Sequence, residues 1–193
     1  MLGSTSHRSF RMPRATDNLR TDHSVVARAL EVLVAIAEHV RFGGAFPVQD
    51  CATVLRFLRE FLLPGHFRKE NELVWPMVAM RCSERTAARV GDLLRLQGDV
   101  TELVHTLVLF WEPVGELTPA ERSGFAATAG ALVAQLRRMQ ELEERELFST
   151  CDSCVPADDQ IEWVQGFAQV DAERCPLAEW SAHIDRLAMD WLR

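Results

Sequence analysis

The sequence contains no tyrosine, so a phenolate ligand and a tyrosyl radical are excluded from its chemistry. It also lacks an uninterrupted apolar run of about 18 residues, the length needed to cross a bilayer. Residues 1–18 contain no apolar core of a secretory signal. We therefore expect no membrane span, no membrane partner and a cytoplasmic location.

Acidic residues outnumber basic ones, and cysteines are few. There are 21 Lys and Arg against 28 Asp and Glu, a net charge of -7, so nucleic acid is not expected as a partner. Only five irregularly spaced cysteines occur in 193 residues. A chain of this length can bury a sufficient core without covalent links, so we expect reduced thiols rather than a disulfide framework.

Apolar residues recur at steps of three and four along four long segments, a pattern that predicts amphipathic helices. Pro64-Gly65 interrupts the second segment and predicts a kink just before His66. Thr118 and Glu121 form a capping-box pattern that predicts the start of the fourth helix. The apolar faces run over about residues 18–40, 55–77, 83–111 and 118–150.

Two shorter amphipathic segments, at about 159–174 and 177–192, follow the long ones. No strand pattern competes with the helical periodicity. We therefore predict an all-α fold, an antiparallel four-helix bundle with a short C-terminal helical extension. The predicted parts are a mobile N-terminal arm at 1–17, the bundle at 18–155, and a helical hairpin at 156–193 packed on the bundle.

Polar residues interrupt the apolar stripes at His23, at His66 with Glu70, and at Glu143. Such groups are costly to bury unless they are paired or bind a metal. Two imidazoles and two carboxylates suit Fe(II), Mn(II) or Zn(II), and the stripes carry no cysteine for a thiolate site. The pattern also allows a metal-free arrangement, in which the histidines and glutamates pair with one another.

Three segments resemble the successive ligand motifs of hemerythrin-like (HHE cation-binding) proteins. They are Asp22-His23, residues 66–76 (HFRKENELVWP) and residues 136–148 (LRRMQELEERELF). The resemblance covers about residues 18–190 and implies a helical bundle that binds metal in its core. By this likeness His66 and Glu70 match the second-helix motif fully, and Glu143 matches the fourth-helix carboxylate.

Two positions depart from the family pattern. Gln97 and Met139 stand where the third and fourth helices of the family carry histidines. Family members hold two metals that share the carboxylates, and the residues retained here correspond to the ligands of one of them. The resemblance therefore implies a mononuclear site of His23, His66, Glu70 and Glu143, with Gln97 and Met139 lining the pocket.

The resemblance implies a role in sensing or responding to oxygen, nitric oxide, redox stress or iron. The expected cofactor is one Fe per chain, with Mn, Zn or no metal as alternatives, and the expected ligand is a small diatomic molecule or an oxyanion. A mononuclear iron enzyme is another alternative, but the sequence identifies no substrate pocket and makes no strong case for catalysis. A metal-free scaffold would instead present a face such as Trp180, Ile184 and Trp191 to a partner or to a second copy in a homodimer.

Two weaker motifs remain. Glu102 and His105 have the Glu-x-x-His spacing of ferritin-like metal bundles, but the motif occurs once and Glu102 lies off the stripe. Cys151 and Cys154 form a C-x-x-C without the strand and helix context of a thioredoxin site. We interpret this pair as incidental to a helix end, with a redox or metal role as the alternative.

Overall fold

The computed structural model describes residues 14–112, 115–173 and 177–193. Most of these residues are helical and none lies in a strand, which confirms the prediction of an all-α fold for this part of the chain. None of the described helices combines the length and the apolar character needed to span a bilayer. The α-helices are α1 Ala15–Arg41, α2 Val48–Phe57, α3 Trp75–Arg81, α4 Glu84–Trp111, α5 Pro119–Leu142, α6 Phe148–Cys154, α7 Ala157–Glu173 and α8 Leu177–Trp191.

Local capping determines where two of the long helices begin. Helix α5 begins as predicted, because the Thr118 hydroxyl accepts the Glu121 amide and the Glu121 carboxylate accepts the Thr118 amide. Helix α1 begins at Ala15, three residues before the predicted start, because the Arg14 amide donates to Asp17 at 3.0 Å. Residues 1–13 of the predicted mobile arm lie outside the described residues.

Three π-helical segments interrupt the α-helices: Leu58–His66, Lys69–Val74 and Glu143–Leu147. Pro64 lies inside the first, where the helix continues through the predicted kink position with wider turns. A proline lacks the amide that α-helical bonding requires, and wider turns accommodate that loss. Short π-helical segments within α-helices are frequent at functional sites, and these three contain His66, Glu70 and Glu143.

The core lies between α1, α4, α5 and the run of helix from α2 to α3. Helix α5 packs along both α1 and α4, and α8 packs along α1. Leu33 of α1, Val104 of α4 and Leu132 of α5 are fully buried. These contacts enclose the polar stripe residues within an apolar interior.

The C-terminal helices α7 and α8 pack against the other helices. Trp180 and Ile184 are buried, and the partly buried Trp191 donates its indole N–H to Asp50 at 2.9 Å. The alternative in which Trp180, Ile184 and Trp191 form a free docking face is therefore wrong. Their periodicity reflects packing of α8 on α1 and α2.

The structure overturns the expectation that the thiols are all reduced. Cys82 at the end of α3 and Cys154 at the end of α6 form a disulfide with a Cα–Cα distance of 6.1 Å. Cys51 and Cys151 are free and buried, and burial raises the pKa of each thiol to about 12. Cys154 therefore pairs with a cysteine 72 positions away rather than with its C-x-x-C neighbour. Cys175 lies outside the described residues.

Reduction of the Cys82–Cys154 disulfide is expected to lower the free energy of unfolding by about 2–4 kcal/mol, because the bond closes a long loop in the unfolded chain. Urea unfolding with and without a reductant measures this loss. A Cys82→Ser, Cys154→Ser double variant is the control, since reductant should leave its midpoint unchanged. Equal midpoints for the wild-type protein in both conditions would contradict the prediction.

Candidate metal centre

The structure brings His23, His66, Glu70 and Glu143 together. One ligand atom from each lies within 4.8 Å of the others, and all four side chains are buried. His23 comes from the first half of α1, whereas His66, Glu70 and Glu143 all come from the π-helical segments. The four residues on the polar stripe positions therefore meet at one buried point.

The donor atoms at this point face one another without hydrogen bonds. His23 Nε2 lies 3.0 Å from Glu143 Oε2, and His66 Nε2 lies 3.5 Å from Glu70 Oε1. These four atoms and Glu143 Oε1 have no hydrogen-bond partner among the described residues. Buried polar atoms are normally satisfied. Cation bonds of about 2.0–2.2 Å would hold neighbouring ligands at about these separations, so the donor set fits a metal ion.

Each histidine is oriented by a carboxylate on its far side. His66 Nδ1 donates to Asp22 Oδ2 at 3.1 Å, and His23 Nδ1 donates to Glu144 Oε1 at 3.1 Å. These bonds place the Nδ1 proton outward and leave each Nε2 free to face the centre, as in carboxylate–histidine–metal arrangements. Our sequence reasoning missed this role of Asp22 and Glu144, although each directly adjoins a predicted ligand.

The buried carboxylates shift the pKa values of their neighbours. Burial lowers the pKa of His23, but the negative carboxylates of Glu143 and Glu144, which lie 3.0 and 3.1 Å from its two ring nitrogens, outweigh that effect and raise the pKa to about 9. Burial lowers the pKa of His66, and Asp22 opposes that effect only in part. Burial and the nearby Glu143 raise the pKa of Glu70 well above its usual value. Cation binding must therefore displace protons from the metal-free centre.

The residues at the two replaced positions, Gln97 and Met139, are both buried but differ in their contacts. Gln97 Nε2 donates to Glu70 Oε2 at 2.7 Å, while Gln97 Oε1 has no partner among the described residues. Met139 is buried in α5, four residues before Glu143. This hydrogen bond is accepted by Glu70 Oε2, whereas Glu70 Oε1 faces His66 Nε2.

Lys69 is the largest feature that our sequence reasoning missed. Its side chain is fully buried, and Nζ donates to Asp22 at 3.1 Å and to Asn18 at 3.2 Å, and lies 2.7 Å from Asp171. The π-helical segment that contains Lys69 turns both Lys69 and Glu70 inward, because wider turns separate sequence neighbours less around the axis. In the sequence, the only sign of this arrangement is that two adjacent residues, Lys69 and Glu70, are polar where the helix face is otherwise apolar.

The weaker motifs lie apart from the centre. Glu102 and His105 are exposed on α4 and do not join the buried ligand group. Cys151 is buried as a free thiol, and Cys154 belongs to the disulfide. Among the described residues, the side chains suited to bind a metal therefore come together at one buried position.

The comparison with protein families gives one match. The family described as hemerythrin HHE cation binding domain matches residues 14–151. No curated protein and no solved structure matches the chain. The family match contains all four converging residues and ends before α7 begins.

Proposed function

This chain belongs to the hemerythrin HHE cation-binding family, and we propose that it binds one divalent cation through His23, His66, Glu70 and Glu143. The observation that carries this proposal is the convergence of buried nitrogen and oxygen donors that have no hydrogen-bond partner among the described residues. All four ligands come from one chain, so no second copy is needed to complete the set.

We place the centre in an antiparallel four-helix bundle formed by α1, the run from α2 to α3, α4 and α5. The packing of α5 on α1 and α4, and of α2 on α1 and α4, supports this arrangement. The hairpin of α7 and α8 then forms an extension outside the bundle. Its contacts with α1, α2 and the segment Lys69–Val74 support this assignment.

Charge balance favours a divalent ion. Two ionised glutamates and two neutral histidines compensate a dication, and neutral overall charge lowers the cost of burying the ion. Mixed imidazole and carboxylate ligands favour Fe(II), with Mn(II) or Zn(II) as the next choices. We therefore propose iron as the resident metal.

Gln97 supports a mononuclear rather than a dinuclear centre. Its amide N–H donates to Glu70 Oε2, and a second cation bridged by Glu70 would need that oxygen. Met139 adds a thioether, a soft ligand that binds Fe(II) and Mn(II) weakly. Both replaced positions therefore disfavour the second cation.

We propose a sensing or stress-response role for the centre. His23, His66, Glu70 and Glu143 would hold an iron ion with fewer than six donors, and such an ion would supply open positions for a small diatomic molecule or an oxyanion. Asp22 and Glu144 hold the histidine rings in place, and Phe148 stacks on His23 with ring centroids 5.3 Å apart.

Reconstitution of the metal-free protein with Fe(II) under anaerobic conditions is expected to raise its melting temperature. Ligand at about 100 times its dissociation constant adds about 2.7 kcal/mol, which corresponds to roughly 5–10 °C for a chain of this size. Thermal unfolding followed by circular dichroism measures the shift. Mg²⁺ is the control, because it prefers oxygen ligands and should shift the midpoint little.

The same Fe(II)-loaded sample tests the sensing role. Anaerobic addition of nitric oxide is expected to produce new visible absorption bands that saturate at about one equivalent per iron. An unchanged melting temperature after Fe(II) addition would refute metal binding. A raised melting temperature with no spectral response to nitric oxide would refute the sensing role alone.

A further inference from the structure

Lys69 is a fully buried lysine that contacts oxygen atoms from three different side chains. A buried ammonium group is costly unless every side of it is paired. Two of its partners, Asp22 and Asp171, carry negative charge and come from different helices. Asp22 belongs to α1 and orients a metal ligand, whereas Asp171 belongs to α7.

Asp22 connects Lys69 directly to the metal centre. Both Lys69 Nζ and His66 Nδ1 donate to the same atom, Asp22 Oδ2, each at 3.1 Å. Two donors that share one acceptor oxygen compete for its electron density. The strength of the Asp22 bond to His66 therefore depends on how closely Lys69 is held elsewhere.

Asp171 holds Lys69 on the opposite side at 2.7 Å, the shortest of the contacts that Lys69 makes with oxygen. The ring of Phe167, one turn earlier on α7, lies 5.9 Å from the same ammonium. Gly166 permits this close approach, because a Cβ atom there would lie 2.7 Å from Leu73 Cδ1. Helix α7 is therefore seated tightly on the π-helical segment that contains Lys69 and Glu70.

We infer that Asp171 and Lys69 are positioning residues of the metal centre, so that the C-terminal hairpin sets its cation affinity. The inference rests on the proposed function and extends it to a helix outside the family match. The route runs from Asp171 through Lys69 and Asp22 to His66. Without the Asp171 charge, Lys69 draws more strongly on Asp22 Oδ2, and His66 loses part of the hydrogen bond that orients it and raises its basicity.

Asp171→Asn is expected to weaken Co(II) binding about tenfold, the lower end of the effect usual for outer residues of metal sites. The probe is Co(II), whose visible absorption reports both occupancy and ligand geometry. Glu173→Gln is the matched control, because Glu173 also joins α7 to this part of the chain, through an exposed contact of 2.6 Å with Arg68, the residue before Lys69. The control should bind Co(II) within about twofold of wild type, as expected for an exposed ion pair.

The melting temperature of each metal-free variant distinguishes a residue that positions the metal centre from one that only stabilises the fold. A lower melting temperature for Asp171→Asn with wild-type Co(II) affinity and spectrum would overturn the inference, since a structural contact alone predicts that result. Equal affinities for Asp171→Asn, Glu173→Gln and wild type would also overturn it. If His66→Ala and wild type both fail to bind Co(II), the proposed function itself fails.

A double-mutant cycle tests the route through Asp22. In an Asp22→Asn background, Asp171→Asn should change Co(II) affinity by less than about twofold, because the shared acceptor has already lost its charge. A full tenfold loss in that background would show that Asp171 acts by another path and would overturn the assigned route.

Discussion

His66→Ala is expected to purify without stoichiometric metal, whereas the wild-type protein carries about one iron, manganese or zinc per chain. His66 is fully buried between Asp22 and Glu70, so alanine removes a donor and leaves a gap that no neighbouring side chain is shown to fill. Only Glu70, Glu143 and His23 then remain as donors, two carboxylates and one imidazole. Elemental analysis of protein purified without chelators or an affinity tag measures the difference.

Two further proteins make this result interpretable. His105→Ala removes an exposed histidine from α4 and should keep full metal content. Glu143→Gln removes a ligand charge with little change in size, which covers the case in which His66→Ala folds poorly. Wild-type protein that takes up no metal, or His66→Ala that keeps its metal, would contradict the proposed ligand set.

The Gln97→His, Met139→His double variant is expected to bind about two cations per chain instead of about one. The first substitution removes the amide that donates to Glu70 Oε2, and the second replaces a buried thioether with an imidazole. Glu70 can then bridge two ions while the new histidines supply donors to the second. The measurement is metal content after loading with excess Fe(II) and removal of unbound ion.

Each single variant is the matched control for the double variant. Gln97→His frees the Glu70 oxygen but supplies one new donor, and Met139→His supplies one donor while the amide still occupies that oxygen. Both single variants should therefore stay near one cation per chain. A double variant that also stays near one would show that the two positions do not form the lost half of a dinuclear centre.

Helix-forming segments were predictable because amphipathic periodicity and caps are local properties. The stripes through His23, His66 and Glu143 correctly placed these side chains inward. The Thr118 capping box was also predictable, since its partners are three residues apart. By contrast, the periodicity assumed α-helical geometry near Pro64, and the π-helical turns there changed which neighbours face the interior.

Pairings across long sequence separations were not predictable. Cys82 and Cys154 looked like unrelated thiols because nothing local indicates that the ends of α3 and α6 meet. The Trp180 and Ile184 face looked free for a partner because the sequence does not show which helix covers it. Gln97 was expected only to line the pocket, yet the packed core directs its amide to Glu70 Oε2.

Residue chemistry and short-range periodicity are local properties of the chain. The helical class, the histidines and glutamates on the inward faces, and the departures at Gln97 and Met139 could therefore be read from the sequence alone. That Asp22 and Glu144 hydrogen-bond the two buried histidines, and that Asp171 contacts Lys69, is visible only once the helices are packed together. These contacts depend on how separate helices rotate and pack against each other. A hydrogen bond of about 3 Å tolerates little error in that packing, so local patterns cannot specify it.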